Sequence, residues 1–139
     1  MKVLVDTPIW SYAFRTHNKE YHQEVKQLRF LVEDQRALLI GPIRQEILSG
    51  YSDLGKFEKL KEKLSFFENV PIQDSDYELA AQACNKCRQQ GVQGSHIDFL
   101  ICAVAMRLDV PIFTTDKDFT HYKKIVSIKL FEINPPSVL

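Results

Sequence analysis

No apolar run in this sequence approaches the roughly 20 residues that cross a bilayer. The opening residues also lack the basic and apolar regions of a secretory signal. The expected location is therefore the cytoplasm, and a membrane is not among the expected partners. Cysteine is scarce and odd in number, at three residues, which excludes a disulfide framework. Cys84 and Cys87 form a C-x-x-C, but inside an alanine-rich helical pattern and without a second pair. Core or surface thiols are expected there rather than a zinc or redox site. An excess of charge is missing too: the 18 basic and 18 acidic residues cancel. That argues against a broad positive face gripping nucleic acid, but it leaves room for a local basic rim around an acidic hole. Repeats, low-complexity tracts and composition breaks are absent, so residues 1–139 are expected to form a single domain.

At 45% hydrophobic and 26% charged, the chain can build one sizeable core. Val3-Leu4-Val5 suits a strand buried on both faces. Thr7 is read as the cap of the next helix, with Pro8 at its first position. A longer helix is expected from a cap at Asn18 to about Asp34, with Tyr21, Val25, Leu28 and Val32 on one face. Residues 37–40 form a second strand, and Pro42 opens a helix over 43–49. Asp53 begins a helix, 69–72 is a proline-bearing third strand at an edge, and Ser75 and Glu78 have capping-box spacing for a helix that Gly91 ends. Ser95 caps a helix over 96–106 that is apolar nearly all round and hence buried. Strands at 112–114 and 128–133 flank a short helix through Tyr122, and a proline-broken tail follows. Strands alternating with helices give the α/β class, a three-layer α/β/α arrangement around a parallel sheet.

Four acids stand out against this pattern. Asp6 and Asp116 each follow a strand, at the edge where open α/β sheets bind ligands. Glu46 and Asp98 sit near the starts of helices expected to be buried, where they can face the same crevice. Each acid alone has a plain structural account; Asp6 helps to cap the following helix and Asp98 caps its own. Together they pose a problem, because two carboxylates about 4 Å apart repel by about 4 kcal/mol at an effective dielectric of 20. Protons or a hard cation must neutralise four of them. Oxygen-only ligands suit Mg²⁺ or Mn²⁺. Such an ion orients a water and stabilises charge growing on a phosphodiester, so metal-assisted hydrolysis is the expected chemistry.

The same residues resemble the PIN-domain nucleases, in particular the VapC-like toxins of toxin–antitoxin pairs. The likeness spans the whole chain and rests on Val5-Asp6-Thr7 with Trp10, on Glu46 before Leu48 and Gly50, on the Asp98-Phe99-Leu100-Ile101-Cys102-Ala103 helix, and on Thr114-Thr115-Asp116-Lys117-Asp118-Phe119. It implies a five-stranded parallel sheet of order 3-2-1-4-5, with helices on both faces. It also implies that Asp6, Glu46, Asp98 and Asp116 bind Mg²⁺ or Mn²⁺ and cut RNA, that the protein is a homodimer, and that a small antitoxin lies across the active groove.

On this reading Asp6, Glu46, Asp98 and Asp116 are the candidate catalytic residues, with Asp6, Asp98 and Asp116 as metal ligands. Glu46 is either a ligand or the group that orients the attacking water. Thr7 and Thr114 are candidates to place hydroxyls near the hydrated metal or a phosphate. Asp118 is either a supporting acid or an exposed turn residue. Arg15, His17, Arg44, His96 and Lys117 are candidates for a positive rim facing RNA, each with a solvated side chain as the plain alternative; Arg44 can instead pair with a carboxylate. Trp10, Tyr12 and Phe14 are expected in core or dimer contacts rather than as stacking surfaces for a base. Two other functions compete. A non-catalytic partner-binding or RNA-binding module would have no need of four acids. A phosphatase or phospho-receiver wants an acid where Pro8 stands, or paired acids early in the chain.

Overall fold

The computed structural model describes residues 1–15 and 20–133. The expected Asn18 cap, His17 and the proline-broken tail lie outside the described residues. Strand β1 (Val3–Val5) is central and pairs in parallel with β2 (Ala37–Leu38) and β3 (Ile112–Phe113), in the order β2-β1-β3. Val3 faces Ala37 and Leu4 faces Leu38 on one side; Leu4 faces Ile112 and Val5 faces Phe113 on the other. Successive strand side chains point to opposite faces. Val3, Leu4 and Val5 are all 0% exposed, so both faces of the sheet are covered.

The expectation of five strands is not met. Each predicted outer strand is reduced to a single parallel bridge, Leu39 with Asn69 and Ile112 with Leu130. On the first side Val70 N–H donates to Leu39 O at 2.8 Å, and Pro71 then has no N–H to extend the ladder. On the other side β3 offers only two residues before the chain turns into the Thr114–Thr115 loop.

Among the described residues seven helices surround this sheet: α1 (Thr7–Phe14), α2 (His22–Glu33), α3 (Gly41–Ser49), α4 (Leu54–Leu64), α5 (Asp74–Gln89), α6 (His96–Leu108) and α7 (Asp118–Lys123). Two caps differ from the sequence reading. Asp6, not Thr7, caps α1, its Oδ1 accepting the Thr7 N–H at 2.8 Å. Helix α5 starts two residues early: Gln73 is its cap, and Asp76 rather than Glu78 reaches back to the cap N–H at 2.9 Å. Asp53 and Ser95 cap α4 and α6 as expected. Phe99 to Ala105 of α6 are all buried, and Trp10 is a core residue whose indole N–H donates to Val5 O at 3.0 Å. Cys84, Cys87 and Cys102 are buried free thiols. None of the helices among the described residues is long and apolar enough to cross a membrane.

One polar pair inside this frame was not legible beforehand. Asp76 is 1% exposed and accepts from Arg107 Nε at 2.7 Å, while Arg107 Nη2 donates to Pro71 O at 3.0 Å. The pair ties α5 to α6. Burial pushes the Asp76 carboxyl up, but the Arg107 hydrogen bond and charge and the Gln73 N–H outweigh it and hold the group below its ordinary range. Its stabilisation is present above the unfolded-state pKa and is lost as pH falls through the lowered native value. Arg107→Ala would leave a buried carboxylate without its partner and is expected to destabilise the fold by about 3 kcal/mol. Urea unfolding at pH 7 measures this; a loss under about 0.5 kcal/mol, the scale of an ordinary surface change, would contradict the role given to the pair.

Candidate active site

The site is built on the end of β1, because the sheet places the residues that follow β1 and its neighbour β3 side by side. Asp6 ends β1 and is 5% exposed. Its Oδ1 accepts the Thr7 N–H, and its Oδ2 accepts the hydroxyl of Thr114, just beyond β3, at 2.8 Å. The Thr114 hydroxyl also accepts the Asp116 N–H at 3.0 Å, so one oxygen joins Asp6 to the next loop. Asp116 Oδ1 in turn accepts the Asp118 N–H at 2.9 Å, at the start of α7. Asp98, in the first turn of α6, accepts the Tyr122 hydroxyl on Oδ2 at 2.7 Å. One oxygen each from Asp98, Asp116 and Asp118 lies within 4.8 Å of the others. Across from them, Glu46 of α3 is exposed and its Oε1 accepts the Thr7 hydroxyl at 3.0 Å.

The sequence-based set and the assembled set differ by one member. Asp118, exposed as its plain reading had it, nevertheless contributes to the three-oxygen group, whereas Asp6 does not. Asp6 lies behind that group, within electrostatic reach of Asp98 and Glu46. Arg44 has a different job from the one suggested. Its Nε donates to Asn69 Oδ1 at 2.9 Å, its Nη1 to Leu64 O at 2.9 Å and its Nη2 to Phe67 O. These acceptors cage its guanidinium between α3 and the end of α4, and none of the ion pairs found among the described residues involves Arg44. Arg15, His96 and Lys117 are exposed. Tyr12 stacks on Tyr21 at 3.7 Å and its hydroxyl meets the Thr115 hydroxyl at 2.7 Å. Sequence reasoning missed Tyr122; the available signal was a tyrosine in the buried register of α7, whose hydroxyl had to find a partner.

Electrostatically the crevice is strained. Burial pushes the Asp6 carboxyl up to about 6, with Asp98 and Glu46 adding to the shift, against the opposing hydrogen bonds from Thr114 and Thr7. Burial also raises Asp98, with Asp116 and Asp118 contributing, while Tyr122 and Ser95 oppose the shift. None of the ion pairs found among the described residues involves these acids. The donor set is carboxylate only, with no histidine or thiolate, which fits a hard divalent cation. Burial also raises the Cys102 thiol above its ordinary range, with the nearby Asp98, Cys87 and Asp6 adding to the shift.

The model of the PIN domain family matches residues 3–125. Among solved structures, FitAcB from Neisseria gonorrhoeae is similar with a TM-score of 0.76 at 20% identity, over 94% of this chain and 96% of that one. VapBC2 from Rickettsia felis, bound to a DNA fragment from its promoter, is similar with a TM-score of 0.72 at 19% identity, over 94% and 98%. A toxin–antitoxin complex from Klebsiella pneumoniae is similar with a TM-score of 0.63 at 17% identity, over 85% and 90%. At these identities the structures show a shared fold. No curated protein matches the chain.

The raised Asp6 carboxyl has a consequence for stability. Between about pH 4 and pH 6 the native chain holds a proton that the unfolded chain has released, so stability falls as pH rises through that window and stays lower above it. A shift of about two units corresponds to at most about 3 kcal/mol. Asp6→Asn keeps an acceptor for Thr7 and a polar partner for Thr114, and it removes the charge. In EDTA at pH 7.5 it is expected to be more stable than the wild type by about 1–3 kcal/mol, with the difference vanishing near pH 3.5. Urea unfolding at both pH values checks this, and a less stable variant at pH 7.5 would contradict it.

Proposed function

The chain belongs to the PIN domain family, and from that premise we propose that it is a Mg²⁺- or Mn²⁺-dependent endoribonuclease, the toxin of a toxin–antitoxin pair. The observation that carries this reading is the convergence of Asp98, Asp116 and Asp118 within 4.8 Å, with no lysine or arginine among the described residues paired to them. Asp98, Asp116 and Asp118 would hold the cation, and Asp6 adds its negative charge nearby. When bound, the cation supplies a nucleophile at neutral pH and offsets the charge that builds on the phosphodiester. Glu46, exposed and held through one oxygen by Thr7, is the group assigned to orient the attacking water and take its proton. Thr114 keeps Asp6 and the Asp116 loop in register. The exposed Arg15 and Lys117 are the cations assigned to the RNA backbone, with His96 as a further exposed contact.

The partners follow from the same reading. The Klebsiella structure is a toxin–antitoxin complex, and a small antitoxin laid across the acidic crevice would cover the groups assigned here. We assign the protein to the cytoplasm, as a homodimer in which residues 1–139 of each copy form one domain.

The test is cleavage of single-stranded RNA by purified protein. Activity is expected with Mg²⁺ or Mn²⁺ and none in EDTA. Asp116→Asn is expected to lower the rate about 100-fold or more, the scale of several kcal/mol of lost transition-state stabilisation. Cleavage that survives EDTA, or an Asp116→Asn protein that cuts as fast as wild type, would overturn the assignment.

A further inference from the structure

The Tyr122 hydroxyl is a site contact that none of the family motifs includes. Its side chain is fully buried, packed on Phe99 at 4.9 Å between ring centroids and on Phe119 at 5.2 Å. Its single polar atom donates to Asp98 Oδ2 at 2.7 Å. The ring reaches that point through a gap in the loop before α6. A Cβ on Gly94 would stand 2.7 Å from Tyr122 Cζ and 2.8 Å from Cε1, closer than side chains approach one another. Gly94 is therefore a clearance for the tyrosine, and together with Phe99 and Phe119 it fixes where the hydroxyl points.

We propose that Tyr122 is a positioning residue for the divalent cation and that Gly94 is the glycine that admits it. The hydroxyl sets the orientation of the Asp98 carboxylate and takes one of its lone pairs, leaving the rest to a cation shared with Asp116 and Asp118. A lysine or arginine in the same place would orient Asp98 equally well but would cancel the charge the cation needs; a phenol orients it and leaves the charge in place. This inference rests on the metal-dependent reading above, since it concerns the same acids.

The experiment is calorimetric titration of full-length wild type, Tyr122→Phe and Gly94→Ala with Mn²⁺, with thermal melts in EDTA alongside. Tyr122→Phe keeps the ring and its packing. It is expected to bind Mn²⁺ about 10–100-fold more weakly, the usual scale for losing a group that orients a metal ligand. Its melting point in EDTA is expected to stay within about 5 °C of wild type. Gly94→Ala is expected to weaken binding in the same direction, yet to change it less than about threefold when added to Tyr122→Phe, because both act through one hydroxyl. Should Gly94→Ala fail to fold, Tyr122→Phe decides alone. Equal Mn²⁺ affinity in wild type and Tyr122→Phe would overturn the positioning role while leaving the metal-dependent reading intact, even if the variant melts lower. A wild type that takes up no Mn²⁺ would overturn both.

Discussion

Like-charge repulsion in a half-buried crevice is the constraint on which the site depends. Carboxylates brought to about 4 Å repel by about 4 kcal/mol per pair at an effective dielectric of 20, and the fold nevertheless brings together Asp98, Asp116 and Asp118 with Asp6 nearby. Hydroxyls direct three of the acids around the crevice, Thr7 on Glu46, Thr114 on Asp6 and Tyr122 on Asp98, while Asp116 accepts the Asp118 backbone N–H. A hydroxyl directs a carboxylate without neutralising it. Asp76 shows the alternative in the same molecule, because there Arg107 both directs and neutralises. One acid is held for the fold, and the others are held with their charge kept available.

That contrast reaches into stability. Asp76 is favoured ionised and Asp6 is favoured protonated, so raising the pH favours the native state through one carboxyl and opposes it through the other. A protein optimised only for stability would not keep a carboxylate 5% exposed with further acids for neighbours. Its persistence at the end of the central strand is best accounted for by a ligand that binds the charged form and stabilises the native state by mass action.

The parts of the fold that depend on local chemistry were legible from the chain. The buried run at Val3–Val5, the caps at Asp53 and Ser95, and the apolar helix from His96 all follow from patterns within a few residues. The edges of the sheet were not, because a strand needs a partner of matching length, and β3 ends after two residues while Pro71 interrupts the opposite edge. In the site, Asp6, Asp98 and Asp116 were visible as acids breaking apolar runs. Asp118 read more readily as an exposed turn residue, since only the bend after Thr114 folds its carboxylate back toward Asp98. Tyr122, Gly94 and the cage around Arg44 were hidden because each depends on a contact between segments distant in the chain.

The claim that these acids converge to hold a divalent cation is tested most directly by locating the ion. In a crystal soaked with Mn²⁺, an anomalous difference map is expected to show a peak about 2.1 Å from carboxylate oxygens of Asp98 and Asp116, with Asp118 facing the same ion. A map with no peak among these residues, or with its strongest protein-bound peak elsewhere on the molecule, would contradict the claim.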